Sequence, residues 1–340
     1  MLILKKLLFI INPKAGRTAI KNDLFEIIVT FSEAGYEVTT YPTMGPKDAE
    51  RKIISDGAAY DLVVCAGGDG TMENIANGYM KMGEKKVPIG YIPVGTTNDF
   101  ARSLGISRKP MEAAKQIVNG ERCLVDVGKF DDDYFIYIAA FGMFTDISYN
   151  TKQSLKKLIG HSAYILEAIK NLANFRTYKI EAWFDEKLVT GEYIFGMVTN
   201  SFSVAGFKVR GSKHVLLNDG KFDCFLIKKP ENVAEAQQIL SAMLLNDIDE
   251  REKNGEVCEL FFRAKASKVL IKCEDEIPWT IDGEFGGNKK EILIENCRES
   301  LGIVLHNNYT LGKNNGDDIE ELDDEDEDSE DFEDYEDGWE

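Results

Sequence analysis

One stretch, residues 62–77 (LVVCAGGDGTMENIAN), constrains the fold more than any other part of the chain. An apolar run ends at the turn Gly67–Thr71, and a helical pattern begins at Met72. A strand, a glycine turn and a helix N-terminus together present backbone N–H groups to phosphate. Asp69 lies inside that turn, where its carboxylate would repel bare phosphate unless Mg²⁺ stands between them. The stretch predicts a nucleotide site containing a metal; the alternative is a tight turn with a surface aspartate.

Strand-like and helix-like segments alternate through the first third of the chain. Such alternation indicates βαβ units and a mostly parallel sheet with flanking helices. Ligands of these sheets bind beyond the carboxyl ends of the strands. The apolar patterns predict strands at residues 7–11, 36–41, 62–66 and 87–92, and helices at about 18–34, 46–57 and 110–119.

Two further polar loops follow strands at the same predicted edge. The first is Asn12-Pro13-Lys14-Ala15-Gly16, and the second runs from Pro93 to Arg102 with Thr96 and Asp99 inside it. Asn98 or Asp99 could simply cap the next helix. Three such loops on one edge favour a binding site over three unrelated turns.

The pattern changes to that of an antiparallel β-rich domain near residues 125–130. Two hairpins are predicted, with turns at 131–133 and 185–187, and the first places a continuous strand at 134–141. An apolar stripe on the helix at about 154–175 indicates core, or less often the lining of a lipid cleft. Further short strands are predicted at 222–227, 269–272, 279–281, 292–294 and 303–306, and a helix at about 231–246.

The C-terminal end of the chain carries most of its net charge. Residues 317–340 hold 17 acidic side chains and no Lys or Arg, so the formal charge of −19 falls to about −2 without them. We expect the segment from 308 to be disordered, since it lacks apolar surface. The near-neutral body, without a basic patch, argues against nucleic acid as a partner.

The cysteine pattern and the hydropathy both favour a cytoplasmic protein. The six cysteines of the 340-residue chain are widely spaced and form no C-x-x-C pair, which indicates reduced thiols. No apolar run approaches the length of a membrane span, and no signal peptide is visible.

Four more carboxylates are candidates for chemistry in the second half. Asp219 lies beside a glycine and could hold a hard cation or form an Asx turn. Asp126, Asp282 and Glu284 lie at strand ends, and each could be a general base or a turn residue.

Six sequence blocks, in order, resemble the bacterial soluble diacylglycerol kinase family within the diacylglycerol and sphingosine lipid kinases. The resemblance spans about residues 5–306. The GGDGT block by itself is less specific, because it is also found in NAD kinases. The blocks are IINPKAG (10–16), GGDGT (67–71), IPVGTTNDFAR (92–102), VDVGKF (125–130), LLNDGKFD (216–223) and IDGEFGG (281–287).

The resemblance implies an α/β fold in two domains with the active site in the cleft between them. Residues 1–127 would form the nucleotide-binding domain with a NAD kinase/diacylglycerol kinase-like sheet. Residues 128–307 would form a β-sandwich-like lipid domain, and 308–340 an acidic tail.

It also implies transfer of the γ-phosphoryl group of ATP to a lipid hydroxyl, with Mg²⁺. By this resemblance, Glu284 corresponds to the general base of the family. Asp69, Asp99 and Asp126 correspond to the family's acidic network, which is linked to Mg²⁺. Asp219, with the carbonyls of Leu216 and Lys221, resembles a structural Mg²⁺ site. The ATP-lining positions carried over are Asn12, Pro13, Lys14, Ala15, Gly16, Thr43, Gly67, Gly68, Asp69, Gly70, Thr71, Met72, Glu73, Asn74 and Thr96.

The chain departs from the family pattern at one point. The family commonly has Leu-Asn-Glu after GGDGT, whereas this chain has Met72-Glu73-Asn74. This exchange of amide and carboxylate at positions 73 and 74 is the basis for one alternative to a lipid kinase, an inactive nucleotide- or lipid-binding regulator. A second alternative is a NAD-kinase-like enzyme. The expected acceptor is diacylglycerol, giving the phospholipid precursor phosphatidic acid through peripheral membrane contact. A homodimer is possible, because the sequence does not determine the oligomeric state.

Overall fold

The computed structural model describes residues 4–15, 19–143, 176–201, 203–204, 207–208, 217–245 and 260–306. Four sequence predictions lie outside these ranges. They concern the helix at 154–175, the acidic tail, Gly16 as an ATP contact and Leu216 as a metal ligand.

The N-terminal third forms a parallel sheet, as predicted, and its strands lie in the order β2-β1-β3-β4. The strands are β1 (Lys5–Ile11), β2 (Tyr36–Pro42), β3 (Leu62–Gly67) and β4 (Ile89–Pro93), and the helices are α1 (Ala19–Glu33), α2 (Asp48–Asp56), α3 (Asp69–Lys81), α4 (Asp99–Ser103) and α5 (Pro110–Asn119).

The remaining described residues are mostly antiparallel strands, again as predicted. One helix, α6 (Val233–Leu245), lies among them. The strands are β5 (Glu121–Phe130), β6 (Asp133–Phe135), β7 (Ile138–Gly142), β8 (Tyr178–Phe184), β9 (Lys187–Thr199), β10 (Ser203–Val204), β11 (Phe207–Lys208), β12 (Phe222–Lys228), β13 (Phe261–Ala266), β14 (Lys268–Ile281) and β15 (Glu284–Leu305).

Strand β15 connects the parallel and antiparallel parts. It pairs antiparallel with β14 and with β5, and near its end Ile303 pairs parallel with Ile89 of β4. Within the described ranges, thirteen strands therefore belong to one hydrogen-bonded sheet. A separate sandwich-like domain starting at residue 128, with a cleft before it, stays a prediction.

The continuous strand predicted at 134–141 is wrong. The chain divides into β6 and β7 at Ile136–Tyr137, and β7 pairs with β9 and β14 instead of β5. The cause is Asp282, whose carboxylate accepts the N–H groups of Ile136, Tyr137 and Ile138 at 2.6–3.0 Å. Amides bonded to this carboxylate are unavailable to a strand ladder.

The short strands predicted near the C-terminus are parts of two long ones. Residues 269–272 and 279–281 both belong to β14, and 292–294 and 303–305 both belong to β15. The polar residues between the apolar runs coincide with shifts of register, between Lys272 and Ile277 and between Cys297 and Leu301. Bulges bend and twist a strand without ending it.

Helix α3 ties the parallel strands to the antiparallel part. The Tyr79 hydroxyl accepts the N–H of Gly302 in β15 at 3.2 Å. The Asn77 side chain donates to the Tyr134 carbonyl at 2.8 Å and accepts the Tyr134 N–H at 2.9 Å. The Asn77 side chain thus bonds to both the carbonyl and the N–H of Tyr134, as the backbone of a neighbouring strand would. These two side-chain bonds fix α3 against β6.

Gly78→Ala should destabilise the fold although alanine favours helix. A β-carbon at Gly78 would stand 2.0 Å from Ile53 Cγ2 and 2.8 Å from the Glu50 carbonyl oxygen of α2. Helix propensity favours the change by about 1 kcal/mol, but overpacking costs about 1–3 kcal/mol, and a backbone oxygen cannot rotate away. We expect a lower urea midpoint; Gly83→Ala, with open space around it, is the control. Equal midpoints for the two variants would contradict the packing argument.

Candidate active site

The glycine turn lies against the loop that follows β4. Gly68 is the N-cap of α3, and a β-carbon at Gly95 would stand 2.6 Å from Gly68 Cα. The Val94 N–H donates to the Gly67 carbonyl at 3.0 Å. Two loops whose backbones meet this closely require glycine at the contact. Two of the three predicted loops are thus one structural unit.

Asp69 joins these two loops through its carboxylate. The Phe100 N–H donates to Asp69 Oδ1 at 3.4 Å, and the N–H groups of Asn98 and Asp99 also bond to this carboxylate. Burial, together with Asp99, raises the pKa of Asp69 despite these donors. Asp99 itself is buried. The two aspartates thus lie together at the edge of the sheet, as the sequence predicted.

The loop after β1 reaches the same edge. The Asn12 side-chain amide donates to Thr71 Oγ1 at 2.9 Å, and the Lys14 N–H donates to Asn12 Oδ1 at 3.0 Å. Pro13 and Lys14 are exposed, and Ala15 is partly buried. The Thr43 N–H donates to the Ile11 carbonyl at 2.8 Å, which places Thr43 beside this loop. These contacts bring the first predicted loop to the glycine turn.

The residues after the turn differ in what they can contact. Met72 is fully buried in the core, so its side chain faces away from any ligand. The Asn74 side chain donates to the Gly70 carbonyl at 2.6 Å, and its Oδ1 is buried without a hydrogen-bond partner. Thr96 is exposed in the loop after β4. Of this group, Thr96 alone has a side chain open to solvent.

Glu284 extends from the β14–β15 turn toward the glycine turn. It is exposed, and a β-carbon at Gly70 would lie 3.7 Å from Glu284 Oε1. Glu284 and Gly70 are far apart in the sequence, yet the fold brings the Glu284 carboxylate to the glycine turn. The arrangement is suited to accepting a proton from a group that attacks a bound phosphate.

The carboxylates of the other two candidate bases, Asp282 and Asp126, accept hydrogen bonds from backbone N–H groups. Asp282 is buried, accepts three N–H groups, and has a pKa raised by burial to about 7. Asp126 is fully buried, and its oxygens accept the N–H groups of Gly220 and Glu299, both at 2.7 Å. Burial raises the pKa of Asp126 as well. Both carboxylates hold loops in place.

Asp219 lies on the loop held by Asp126. Its Oδ1 accepts the Lys221 N–H at 3.0 Å, and Lys265 Nζ stands 3.5 Å from its Oδ2. The carboxylate is the kind of oxygen donor that Mg²⁺ takes. Lys265 would compete with a cation there, and this lysine had no place in the sequence prediction.

Three further charged groups surround Glu73 that sequence reasoning did not connect with it. Burial raises the pKa of Glu73 most, followed by the charges of Asp282, Glu284 and Asp133, whereas Lys47 lowers it. Asp133 also forms an ion pair with Lys81 at 3.1 Å. Lys47 precedes α2 and Asp133 begins β6, so no local pattern could have placed them together. The acidic run at 131–133 was the one available signal, and it indicated a turn.

Comparison with known proteins agrees with this geometry. Residues 6–130 match the family described as diacylglycerol kinase catalytic domain. "Diacylglycerol kinase" of Bacillus subtilis (strain 168) is 34% identical over 287 residues, covering 84% of this chain and 91% of the relative. The protein of that name from Staphylococcus carnosus (strain TM300) is 32% identical, with 83% and 90% covered.

A solved structure shows the same fold. The crystal structure of a diacylglycerol kinase from Bacillus anthracis str. Sterne superimposes with a TM-score of 0.68 at 23% identity, covering 91% of this chain and all of the other. The glycine turns at the sheet edge, the facing carboxylate and the curated relatives together define an ATP-dependent lipid kinase. The chain belongs to the diacylglycerol kinase family. The prediction of an ATP-dependent lipid kinase is thus confirmed.

Gly95→Ala should weaken ATP binding. The new β-carbon would meet Gly68 Cα at 2.6 Å and Asn98 Oδ1 at 2.8 Å, so the two loops must move apart. We expect Kd for ATP to rise at least ~10-fold, equivalent to ~1.4 kcal/mol, in isothermal titration. Gly45→Ala, in a loop with open space, is the control. An unchanged Kd in the Gly95 variant would show that the contact does not shape the nucleotide site.

Proposed function

We propose that this lipid kinase phosphorylates diacylglycerol, transferring the γ-phosphoryl group of Mg²⁺-ATP to its free hydroxyl to form phosphatidic acid, a phospholipid precursor. The names of the curated relatives support diacylglycerol as the acceptor. The observation that carries the chemistry is the exposed Glu284 carboxylate beside Gly70, because the neighbouring candidates Asp282 and Asp126 are bonded to backbone amides.

Glu284 acts as the general base in this proposal. Its carboxylate accepts the proton of the lipid hydroxyl as the hydroxyl oxygen bonds to the γ-phosphorus. The bond from that phosphorus to the β–γ bridging oxygen breaks, and ADP leaves with the electron pair. Phosphoryl transfer depends mostly on positioning and charge stabilisation. In this proposal, backbone amides of the glycine turns and the ammonium group of Lys14 supply both the positioning and the charge stabilisation.

The residues at the glycine turn fit a magnesium ion. Backbone N–H groups of the loop after β4 already bond to the Asp69 carboxylate, so in this proposal Asp69 reaches Mg²⁺ through water. Mg²⁺ usually keeps several waters and is held by one or two carboxylates together with substrate phosphates. When bound, the ion neutralises charge on the β- and γ-phosphates.

The enzyme meets its lipid at a membrane surface in this proposal. Among the described residues, no helix has the length and apolar character to cross a bilayer. Diacylglycerol is held in bilayers by its acyl chains, so the contact is peripheral and reversible.

Glu284→Gln should lower kcat at least ~10²-fold, the low end of a general base's contribution. The assay is transfer of labelled γ-phosphate to diacylglycerol, ceramide, a long-chain base and a polyprenol in mixed micelles. Glu291→Gln is the matched control, because it changes a carboxylate of the same strand whose partner is the exposed Lys272. Such surface pairs contribute little.

The two parts of the proposal fail separately in this assay. Label on another lipid, with none on diacylglycerol, would overturn the acceptor assignment. A Glu284→Gln enzyme as active as Glu291→Gln would overturn the base assignment.

We also propose a structural Mg²⁺ at Asp219, for which Lys265 is a competing cation. Lys265→Gln should raise the affinity for Mg²⁺ about fivefold, since a unit charge at this distance is worth ~1 kcal/mol in water. Asp219→Ala should abolish the response. Melting temperature against Mg²⁺ concentration measures both. Responses like that of the wild type in both variants would count against the site.

A further inference from the structure

Two exposed apolar side chains lie beside the glycine turn. Among the described residues, Met44, Phe25 and Phe285 are the most exposed of the large hydrophobic side chains, at 81%, 72% and 69%. Hydrophobic residues exposed singly are normal on protein surfaces and need no functional explanation. Met44 and Phe285 differ from Phe25 in their position, because both lie at the edge that carries the candidate active site.

Phe285 directly follows the proposed base. Glu284 Oε1 lies 3.7 Å from the position that a β-carbon at Gly70 would take, so Phe285 begins one residue away from this contact. Its partner across the β14–β15 hairpin is Thr280. The Asp282 carboxylate fixes the hairpin turn by accepting three backbone N–H groups at 2.6–3.0 Å. The backbone of Phe285 is thus held by strand pairing and by a bonded turn, and its ring is still exposed.

Met44 lies in the loop between β2 and α2, at the carboxyl end of the parallel sheet. The Thr43 N–H donates to the Ile11 carbonyl at 2.8 Å, and the Met44 N–H donates to Asp48 Oδ2 at 2.9 Å. Ile11 leads into the loop after β1, which is itself bonded to the glycine turn. Met44 and Phe285 therefore approach the glycine turn from two different elements, each with a hydrogen-bonded backbone.

The charge of the chain indicates what kind of surface fits these two side chains. An anionic membrane would repel a chain with a formal net charge of −19. The exposed charged side chains next to Met44 and Phe285 are of both signs, Lys47 and Glu284. Transfer of apolar side chains out of water is favourable by itself and needs no charged head group. The partner that fits this edge is a membrane surface of neutral lipids.

We propose that Met44 and Phe285 are membrane-contact residues: both side chains enter a neutral bilayer and hold the glycine turn and Glu284 against its surface. The inference rests on the proposed function, in which the acceptor lipid stays in the bilayer. Apolar groups of peripheral proteins enter roughly 5–10 Å into the boundary between head groups and acyl chains. The hydroxyl of diacylglycerol lies in that boundary, so the acceptor reaches Glu284 without leaving the membrane.

The first test is sedimentation with phosphatidylcholine vesicles that contain diacylglycerol, without nucleotide. Phe285→Ser and Met44→Ser should each lower the partition coefficient about fivefold, equivalent to ~1 kcal/mol, because each removes apolar surface from the contact. Phe25→Ser is the matched control. Phe25 is as exposed as Phe285, but α1 packs on the face of the parallel sheet opposite α3. Partition of both test variants equal to that of Phe25→Ser would overturn the inference.

Tryptophan fluorescence tests where the side chain lies. On addition of vesicles, Phe285→Trp should show a blue shift of its emission and quenching by lipids brominated on the acyl chains. Phe25→Trp should show neither change. The three tryptophans of the chain give the same background in both variants. Equal quenching in the two variants would contradict entry of residue 285 into the hydrocarbon.

Salt separates apolar from electrostatic attachment. Raising the salt concentration from 0.1 M to 1 M shortens the Debye length from about 10 Å to about 3 Å. We expect partition of the wild type into neutral vesicles to persist at 1 M. Loss of binding at 1 M, or binding only to vesicles that contain phosphatidylglycerol, would overturn the inference and indicate attachment through charged groups.

Turnover separates this inference from the proposed function. With a water-soluble short-chain diacylglycerol, Phe285→Ser and Met44→Ser should keep the wild-type kcat, whereas KM for diacylglycerol in vesicles should rise. Phosphorylation of diacylglycerol by the wild type, with equal vesicle partition of the two test variants and Phe25→Ser, would overturn only the membrane contact. Absence of transfer to diacylglycerol, with partition still dependent on Phe285, would overturn the acceptor and leave the membrane contact supported.

Discussion

The position of strand β15 is the constraint on which the site depends. It runs for 22 residues from Glu284 to Leu305, and its partners belong to both the antiparallel and the parallel strands. A straight strand of that length would extend roughly 70 Å, but the register shifts between Cys297 and Leu301. Glu299 adopts a φ of 48° there, and its N–H bonds to Asp126. The bend allows one strand to carry Glu284, the proposed base, at its start and to join the parallel sheet at its end.

Three carboxyl groups near this strand serve different purposes because their surroundings differ. Asp126 and Asp282 are buried and accept backbone N–H groups, so they fix loops. Glu284 is exposed and lies at the glycine turn. When neighbouring acids have surroundings that favour different protonation states, those surroundings can be used to assign their catalytic roles. Nothing in the residue types alone distinguishes the three.

The sequence predicts the local parts of this structure well. The period of the apolar residues and the glycine turn predicted both β3 and α3, since both signals act within a few residues. The strand was placed within one residue, but α3 begins at Asp69, three residues before the predicted start at Met72. It failed where a distant group competes for the backbone: Asp282 takes the amides of Ile136 and Tyr137 from more than 140 residues away and divides a predicted strand. The same applies to the site. The sequence indicated Glu284 and Asp69, but the group of charges around Glu73 comes from three separate elements.

The central claim is that the lipid hydroxyl is phosphorylated between the Gly68–Gly70 turn and Glu284. The most direct measurement is a structure with a non-hydrolysable ATP analogue, Mg²⁺ and a short-chain diacylglycerol. The account predicts the γ-phosphate at the glycine turn and the acceptor hydroxyl oxygen within about 3.2 Å of a Glu284 carboxylate oxygen, the reach of a general base. A nucleotide bound away from that turn, or an acceptor hydroxyl bonded to a different carboxylate, would contradict it.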